Sequence, residues 1–221
     1  MNLLLFGPPG CGKGTQSARI TRWLSIPGIS TGEMLREEVA AGSDLGREIT
    51  SILAAGGLVN DDLVNRILTH RISMPDCQNG FLLDGYPRTV SQAKFLEALL
   101  ESTGLAQPFV LHLDVPLGVL KRRISARRQC QKCGRIYNLF KEPPLKKNKC
   151  DLDGETLVRR RDDQPNVVSS RLESYKSWTH PVLEHYRNGN YHRIQGDLAP
   201  NDVYSQIEAV LDGRRMLSAS R

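Results

Sequence analysis

The sequence has no apolar run near the roughly 20 residues that a bilayer-spanning helix needs, so a membrane role is not expected. Its opening, MNLLLFG, carries no basic segment and meets glycine at Gly7, which reads as a buried strand rather than an export leader. No internal repeat or low-complexity tail is apparent. Cysteine is scarce and odd in number: five residues, with Cys11 and Cys77 far from Cys130, Cys133 and Cys150. A disulfide framework pairs evenly, so a reduced, cytoplasmic setting and a bound metal fit better. Nor is there a Ser-His-Asp or Cys-His set. His70, His112, His180, His185 and His192 are scattered, and His112, inside an apolar run, is expected to be packed and hydrogen-bonded. Chemistry that needs a protein base is therefore not expected, whereas an anionic phosphate acceptor needs only alignment and charge neutralisation.

What is present is an ordinary globular composition, 39% hydrophobic and 24% charged, enough for one main domain with smaller attached lobes. The formal charge of +6 suits either a nucleic-acid surface or a cleft for phosphorylated small molecules, and only placement separates them.

Leu3–Phe6 is a short apolar run followed by a Gly-rich turn and helical periodicity over Thr15–Leu24. Ser30 and Thr31 precede GEMLREEVAAG, a helix start with acidic residues in its first turn. Further helices are expected over SDLGREITSILAAGG, over VNDDLVNRILTHRIS with Asn60 or Asp61 as cap, and over SQAKFLEALLEST. FLLD, FVLHLDV and YHRIQG read as strands, and LGVLKRRISARR as a helix running into the cysteine segment. VVSSRLESYKSWTHPVLEHYRN reads as a long helix kinked at Pro181, and NDVYSQIEAVLDGRR as a closing helix. Repeated strand–helix units call for a parallel sheet with helices on both faces. Residues 126–163, rich in turns, prolines and cysteines, break that rhythm as an inserted lobe.

GPPGCGKGT, residues 7–15, is the most informative string. Gly7, four residues, Gly12 and Lys13 satisfy the start of the phosphate-loop pattern, and the strand–loop–helix context agrees. Glycines let backbone amides turn inward, the helix start adds free N–H groups, and Lys13 would reach the β/γ-phosphates. Position 14 is glycine where a hydroxyl is expected, and the hydroxyl arrives at Thr15. Cys11 reads as a small loop residue.

Phosphoryl transfer needs positive charge where donor, transferred group and acceptor share negative charge. Arginines recur beside breaks in secondary structure: Arg36, Arg88, Arg123 and Arg127 (four apart, on one expected helical face), Arg160 and Arg171. Asp84, ending a buried strand on the same edge as the loop, is the candidate for magnesium, directly or through water.

Cys130, Cys133, Cys150 and Asp153 follow C-x2-C-x16-C-x2-D, two close pairs that can converge tetrahedrally on a structural zinc, with Asp151 as the less regular alternative to Asp153. Lys141, Lys146, Lys147 and Lys149 nearby would also suit nucleic acid, but Tyr137 and Phe140 are the only aromatics there and no recognition helix is apparent.

Together GPPGCGKGTQ at 7–16, ISTGEMLR at 29–36, GFLLDGYPRTVSQ at 80–92, RISARR at 123–128 and RRDDQ at 160–164 resemble the adenylate kinase family over essentially the whole chain. CQKCGRIYN with KCDLDG resembles its long-lid form with a Cys3Asp zinc site. The resemblance implies an α/β P-loop kinase fold: a central parallel sheet flanked by helices, a helical AMP-binding lobe at 30–59, and an inserted zinc-binding lid at 126–163. Residues 1–29, 60–125 and 164–221 would form the core. It implies reversible transfer from MgATP to AMP giving two ADP, and in that family the Gly14–Thr15 variation is normal. Lys13, Arg88, Arg127, Arg160, Arg171 and Asp84 would be catalytic. Gly10, Cys11, Gly12, Lys13, Gly14, Thr15, Arg127, Ile136 and Tyr137 would meet ATP, with Arg123 stacking on its base. Thr31, Arg36, Gly57, Leu58, Val59, Gly85, Tyr86, Pro87, Arg88, Gln92, Arg160 and Arg171 would meet AMP, and Asp162 and Asp163 form the lid pair. A cytoplasmic monomer with ATP, AMP and ADP as partners, and neither nucleic acid nor membrane, is expected. The alternatives are a UMP or CMP kinase and a zinc-ribbon nucleic-acid-binding NTPase.

Overall fold

The computed structural model describes residues 1–42, 44–54 and 58–219. Five strands form a parallel sheet: β1 (Leu3–Phe6), β2 (Gly28–Ser30), β3 (Leu82–Asp84), β4 (Phe109–Asp114) and β8 (Tyr191–Gln195), in the order β2-β3-β1-β4-β8. β1 lies at the centre, with Leu3 opposite both Leu82 and Phe109. Its four residues are all buried, as a central parallel strand covered on both faces requires.

Alternation along β1 divides the core. Leu4 and Phe6 join Ile29, Leu83 and Val110 on one face, under Leu68, Leu96 and Leu100 from helices α4 (Asp61–Ile72) and α5 (Val90–Ser102). Val182 and Tyr186 of α8 (His180–Tyr186) cover the same side. Leu3 and Leu5 join Leu82, Leu111 and Leu113 on the other face. There Ile20 of α1 (Lys13–Leu24), Leu120 of α6 (Leu117–Ser125) and Ile207 and Leu211 of α9 (Pro200–Ala219) seal the sheet. The strand period of two and the helix period near 3.6 thus meet on each face.

Two helices, α2 (Thr31–Ala40) and α3 (Asp44–Ala54), follow β2 and pack on each other, and α3 also touches the short turn Arg161–Asp163. Ser30 caps α2 by accepting from Glu33 N, and Asn60 caps α4 by accepting from Asp62 N, which settles the choice between Asn60 and Asp61. β2 was not expected: three residues directly after Pro27 are too short to show a period.

The cysteine segment carries its own antiparallel sheet, β6-β5-β7, of β5 (Arg127–Cys130), β6 (Ile136–Asn138) and β7 (Leu157–Val158). This corrects the helix expected through Arg127. α6 ends at Ser125, and Arg127 pairs with Asn138, so Arg123 and Arg127 share no helical face. Helix α7 (Pro165–Ser174) continues through a π-helical segment, Tyr175–Thr179, into α8. The wider turn precedes Pro181, which lacks the N–H to continue the ladder, so the expected kink is taken up as a bulge.

His112 of β4 is buried, with Nδ1 2.7 Å from Tyr191 Oη and Nε2 3.3 Å from Tyr175 Oη. Burial pushes its pKa down to about 4, against the pull of Asp114 and with that of Arg193, His180 and Lys13. Between about pH 6.5 and 4 the unfolded chain binds a proton there that the folded chain refuses, so stability falls as pH falls through this window. Denaturant titrations at pH 7 and pH 4.5 should show wild type losing roughly 2 kcal/mol more than His112→Gln. Equal losses would show that His112 is not held neutral.

Candidate active site

β1 delivers the chain into the loop Gly7–Gly12, and α1 begins at Lys13. Gly12 stands at φ 107°, a left-handed conformation that a side chain resists, and no side chain caps the helix. The first N–H groups of α1 therefore face the mouth of the loop without a side-chain acceptor, as an anion site requires. Gly10 is needed for space as well: a Cβ there would come within 2.6 Å of Ile124. Lys13 arches back over the loop, its Nζ donating to Gly7 O at 2.6 Å and Pro8 O at 3.3 Å. Cys11 is buried beneath, and burial pushes its thiol up despite Lys13 beside it, which suits a packing residue and not a nucleophile. Gly14 and Thr15 are exposed on the first turn. Ile136, from β6 of the inserted lobe, lies over Gly14, 3.7 Å from where a Cβ would stand.

Asp84 ends β3, level with Leu5 of β1 and Ser30 of β2. Burial raises its pKa, while Lys13 and then Arg88 pull the other way. Arg88, in the turn after β3, donates from Nε to Gly85 O at 2.8 Å. Its guanidinium is pushed down to about 10, first by burial and then by Arg171, with Arg36 adding to the repulsion. Arg160 is likewise pushed down to about 10 by burial, Arg127 and Arg36, and its Nε donates to Gln129 Oε1 at 2.5 Å.

The residues that hold this cationic group together are Asp162 and Asp163. Asp163 has no exposed surface; its Oδ2 accepts from Arg127 Nε at 2.7 Å, and its Oδ1 accepts from Arg127 Nη2 and, at 3.2 Å, from Arg171 Nη1. Asp162 Oδ2 lies 2.9 Å from Arg171 Nη1. Arginines from α2, the β3–α5 turn, β5, the turn before α7, and α7 itself are thus brought into one electrostatic group facing Lys13 and Asp84.

Arg123 stays apart from that group. Its Nη1 donates to Cys11 O at 3.1 Å and Gly196 O at 2.8 Å, and its Nη2 to Asp197 O at 3.2 Å and Leu198 O at 3.4 Å. The guanidinium is held by its edge, tying the loop to residues 196–198, which gave no signal in the sequence.

A crevice beside the arginines is lined by Thr31, Leu58, Val59, Gly85, Tyr86, Arg88 and Gln92, joined by Leu35 and Val64, which the motifs did not mark. Gly57 lies outside the described residues. Thr31 Oγ1 donates to Gly85 O at 2.9 Å, and buried Tyr86 donates from its hydroxyl to Asn65 Oδ1 at 2.6 Å. Pro87 follows Tyr86 through a cis peptide bond.

In the inserted lobe the ligand atoms of Cys130, Cys133, Cys150 and Asp153 all lie within 4.8 Å of one another. Cys133 and Cys150 sulfurs are 3.5 Å apart, and Cys130 Sγ is 3.3 Å from Asp153 Oδ2. Four ligands at about 2.3 Å from one ion would have edges of about 3.8 Å, so this donor set fits a tetrahedral, thiophilic cation such as zinc. Asp151 is otherwise engaged, its Oδ1 accepting from Leu145 N at 2.8 Å. Tyr137 turns its side chain inward, with its hydroxyl 3.4 Å from Cys150 Sγ.

A phosphate loop at the carboxyl end of a central parallel strand, facing crowded guanidinium groups and an acidic strand end, defines a P-loop phosphotransferase acting on nucleotides. The adenylate kinase family model matches residues 5–191. Over 213 residues the chain is 47% identical to an adenylate kinase of Thermosipho melanesiensis, covering 96% of this chain and 98% of that protein. It is 42% identical to one from Anaeromyxobacter dehalogenans (96% and 99% covered) and 41% identical to one from Archaeoglobus fulgidus (96% and 98% covered). The chain belongs to the adenylate kinase family, and its reaction is reversible phosphoryl transfer from ATP to AMP, giving two ADP. Among the described residues, no helix is long and apolar enough to cross a membrane.

Asp163→Asn should lower unfolding free energy by roughly 3 kcal/mol, since Arg127 would lose its buried counter-charge. Asp162→Asn, at a more open pair, should cost clearly less. Equal costs in denaturant titrations would remove Asp163 from its central place.

Proposed function

We propose that donor and acceptor nucleotides lie on opposite sides of the arginine group, with transfer running in line between them. The observation that carries this reading is the convergence of cations from separate elements on the mouth of the glycine loop. ATP phosphates would rest on the backbone of Gly10, Cys11, Gly12, Gly14 and Thr15, with Lys13 swinging from the loop carbonyls to the transferring group. Arg123, held by its edge, would stack a flat face on the adenine of ATP. Ile136 would close over the loop, and Tyr137, whose ring is committed to the lobe interior, would contribute backbone.

The crevice would take AMP. Thr31, Leu58, Val59, Gly85, Tyr86, Pro87 and Gln92 would surround its base and sugar. Arg36, Arg88, Arg160 and Arg171 would bind its phosphate, and Arg127 would neutralise charge on the transferred group. The acceptor oxygen is already anionic, so no base is required; guanidinium groups that stay protonated even when pushed to about 10 supply the charge the transition state spreads over its oxygens. Asp84, with water, would hold the magnesium that accompanies ATP, and the ion would supply further charge on the phosphate oxygens. Residues 30–59 and 126–163 act as lobes closing on the core of 1–29, 60–125 and 164–221, excluding the water that would otherwise compete as acceptor. Each phosphate contact is assigned to this one chain, in keeping with a monomer, and an odd set of five cysteines suits the cytoplasm better than an evenly paired disulfide framework.

Cys130, Cys133, Cys150 and Asp153 would hold a structural zinc. The lobe's buried cluster is only Cys130, Tyr137, Cys150 and Leu157, while Phe140, Leu145 and Leu152 are exposed, so apolar burial alone is a weak source of stability there. Cys130→Ser should abolish bound zinc, lower the melting temperature by several degrees and reduce activity; unchanged metal content and melting would refute the zinc assignment.

A coupled assay with AMP, CMP and UMP should give ADP formation with AMP far above the others. Arg88→Ala should cut kcat/KM by about a thousandfold. A loss below tenfold would place Arg88 outside the phosphate clamp.

A further inference from the structure

Gln92 is only 2% exposed, yet it lines the acceptor crevice. Its amide is held from both ends: Oε1 accepts from the Arg88 backbone N–H at 2.7 Å, and Nε2 donates to Asp61 Oδ1 at 2.7 Å. A backbone N–H only donates and a carboxylate only accepts, so both neighbours specify the same orientation. Turning the amide over would set donor against donor and acceptor against acceptor. Asp61 is itself fixed, because its other oxygen accepts from Thr89 Oγ1 at 2.7 Å, and that hydroxyl accepts from Gln92 N at 3.1 Å. As the first residue of α4 it also sits where the helix dipole favours a negative charge. These bonds use one lone pair and one hydrogen of the Gln92 amide and leave one of each for a ligand.

We propose that Asp61 is a positioning residue for acceptor selection: by locking the Gln92 amide it sets which base edge the crevice accepts. A 6-aminopurine offers a ring-nitrogen acceptor beside an amino donor. A 6-oxopurine offers the reverse, a ring N–H beside a carbonyl. With the acceptor phosphate held by arginines the base cannot turn over to compensate, so the locked amide pairs with the first and opposes the second. Selection against oxo bases then depends in part on a carboxylate that touches no substrate. The inference rests on the placing of the AMP base against Gln92.

Asp61→Asn keeps the shape but can offer either a donor or an acceptor to Gln92, which removes the carboxylate's half of the lock and leaves only the Arg88 N–H to orient the amide. With MgATP saturating, kcat/KM is measured for AMP and for inosine monophosphate, alongside the KM for ATP and thermal unfolding. The AMP-to-inosine preference should fall about tenfold, while ATP KM and melting change little. A preference unchanged, or both acceptors weakened equally, overturns the lock. Gln92→Ala separates the two readings. If AMP KM does not rise, the base does not lie against Gln92, and both the acceptor site and the lock fail; if it rises while Asp61→Asn keeps full preference, the lock alone fails. Should Asp61→Asn not fold, Asp61→Ser, too short to hold the amide, is measured in its place: a lowered AMP-to-inosine preference supports the lock, and an unchanged one overturns it.

Discussion

The structure depends on keeping like charges together. Arg36, Arg88, Arg127, Arg160 and Arg171 act on one another across a largely buried site, where burial first and the neighbouring cations second push Arg88 and Arg160 down to about 10. Left alone, such a group would push itself apart. Asp163, without exposed surface, and Asp162 beside it offset the repulsion by binding Arg127 and Arg171. They neutralise only part of it. In the proposed reading the surplus is the functional quantity, because incoming phosphates would complete what the aspartates leave undone.

The sheet explains why this group can form at all. Parallel strands bring their carboxyl ends to one edge, so the loop after β1, Asp84 at the end of β3 and the turn carrying Arg88 emerge side by side. The antiparallel lobe sheet adds Arg127 at the start of β5 and Arg160 after β7. Arg123 then ties the loop carbonyl at Cys11 to residues 196–198, so the far end of the chain stiffens the phosphate cradle.

Much of this was legible in the sequence because motif residues carry their own geometry. GPPGCGKGT implied a strand, a glycine turn with inward amides and a helix start, and β1, the loop ending at Gly12 and α1 follow that order. C-x2-C-x16-C-x2-D implied one convergence point, and the four ligand atoms meet. Other features were hidden for physical reasons. β2 is three residues long and takes its identity from pairing with β3, a non-local partner. Arg127 looked helical because α6 leads directly toward it, yet pairing with β6 and the pull of Asp163 outweigh local periodicity. Gln129, Asp61 and the carbonyls of 196–198 act by orienting other groups, and no spacing rule marks a residue whose partner is distant in the chain.

The same electrostatics bears on when the lobes should close. Arg36 from α2 and Arg127 and Arg160 from the lobe sheet's margins feel each other across the site, so approach of the two lobes raises the repulsion each must bear. On the proposed closing of the lobes, phosphates bound between them would reverse the sign of that interaction and convert a cost of approach into a gain. A ligand shifts a conformational balance only by its differential affinity for the two states, and here the difference arises from the cations that come together on closing. In the proposed arrangement, polyphosphate on one side and monophosphate on the other would be needed to neutralise them fully. Closure would then be favoured most with both substrates present, which is the condition under which water must be kept away from the transferring group.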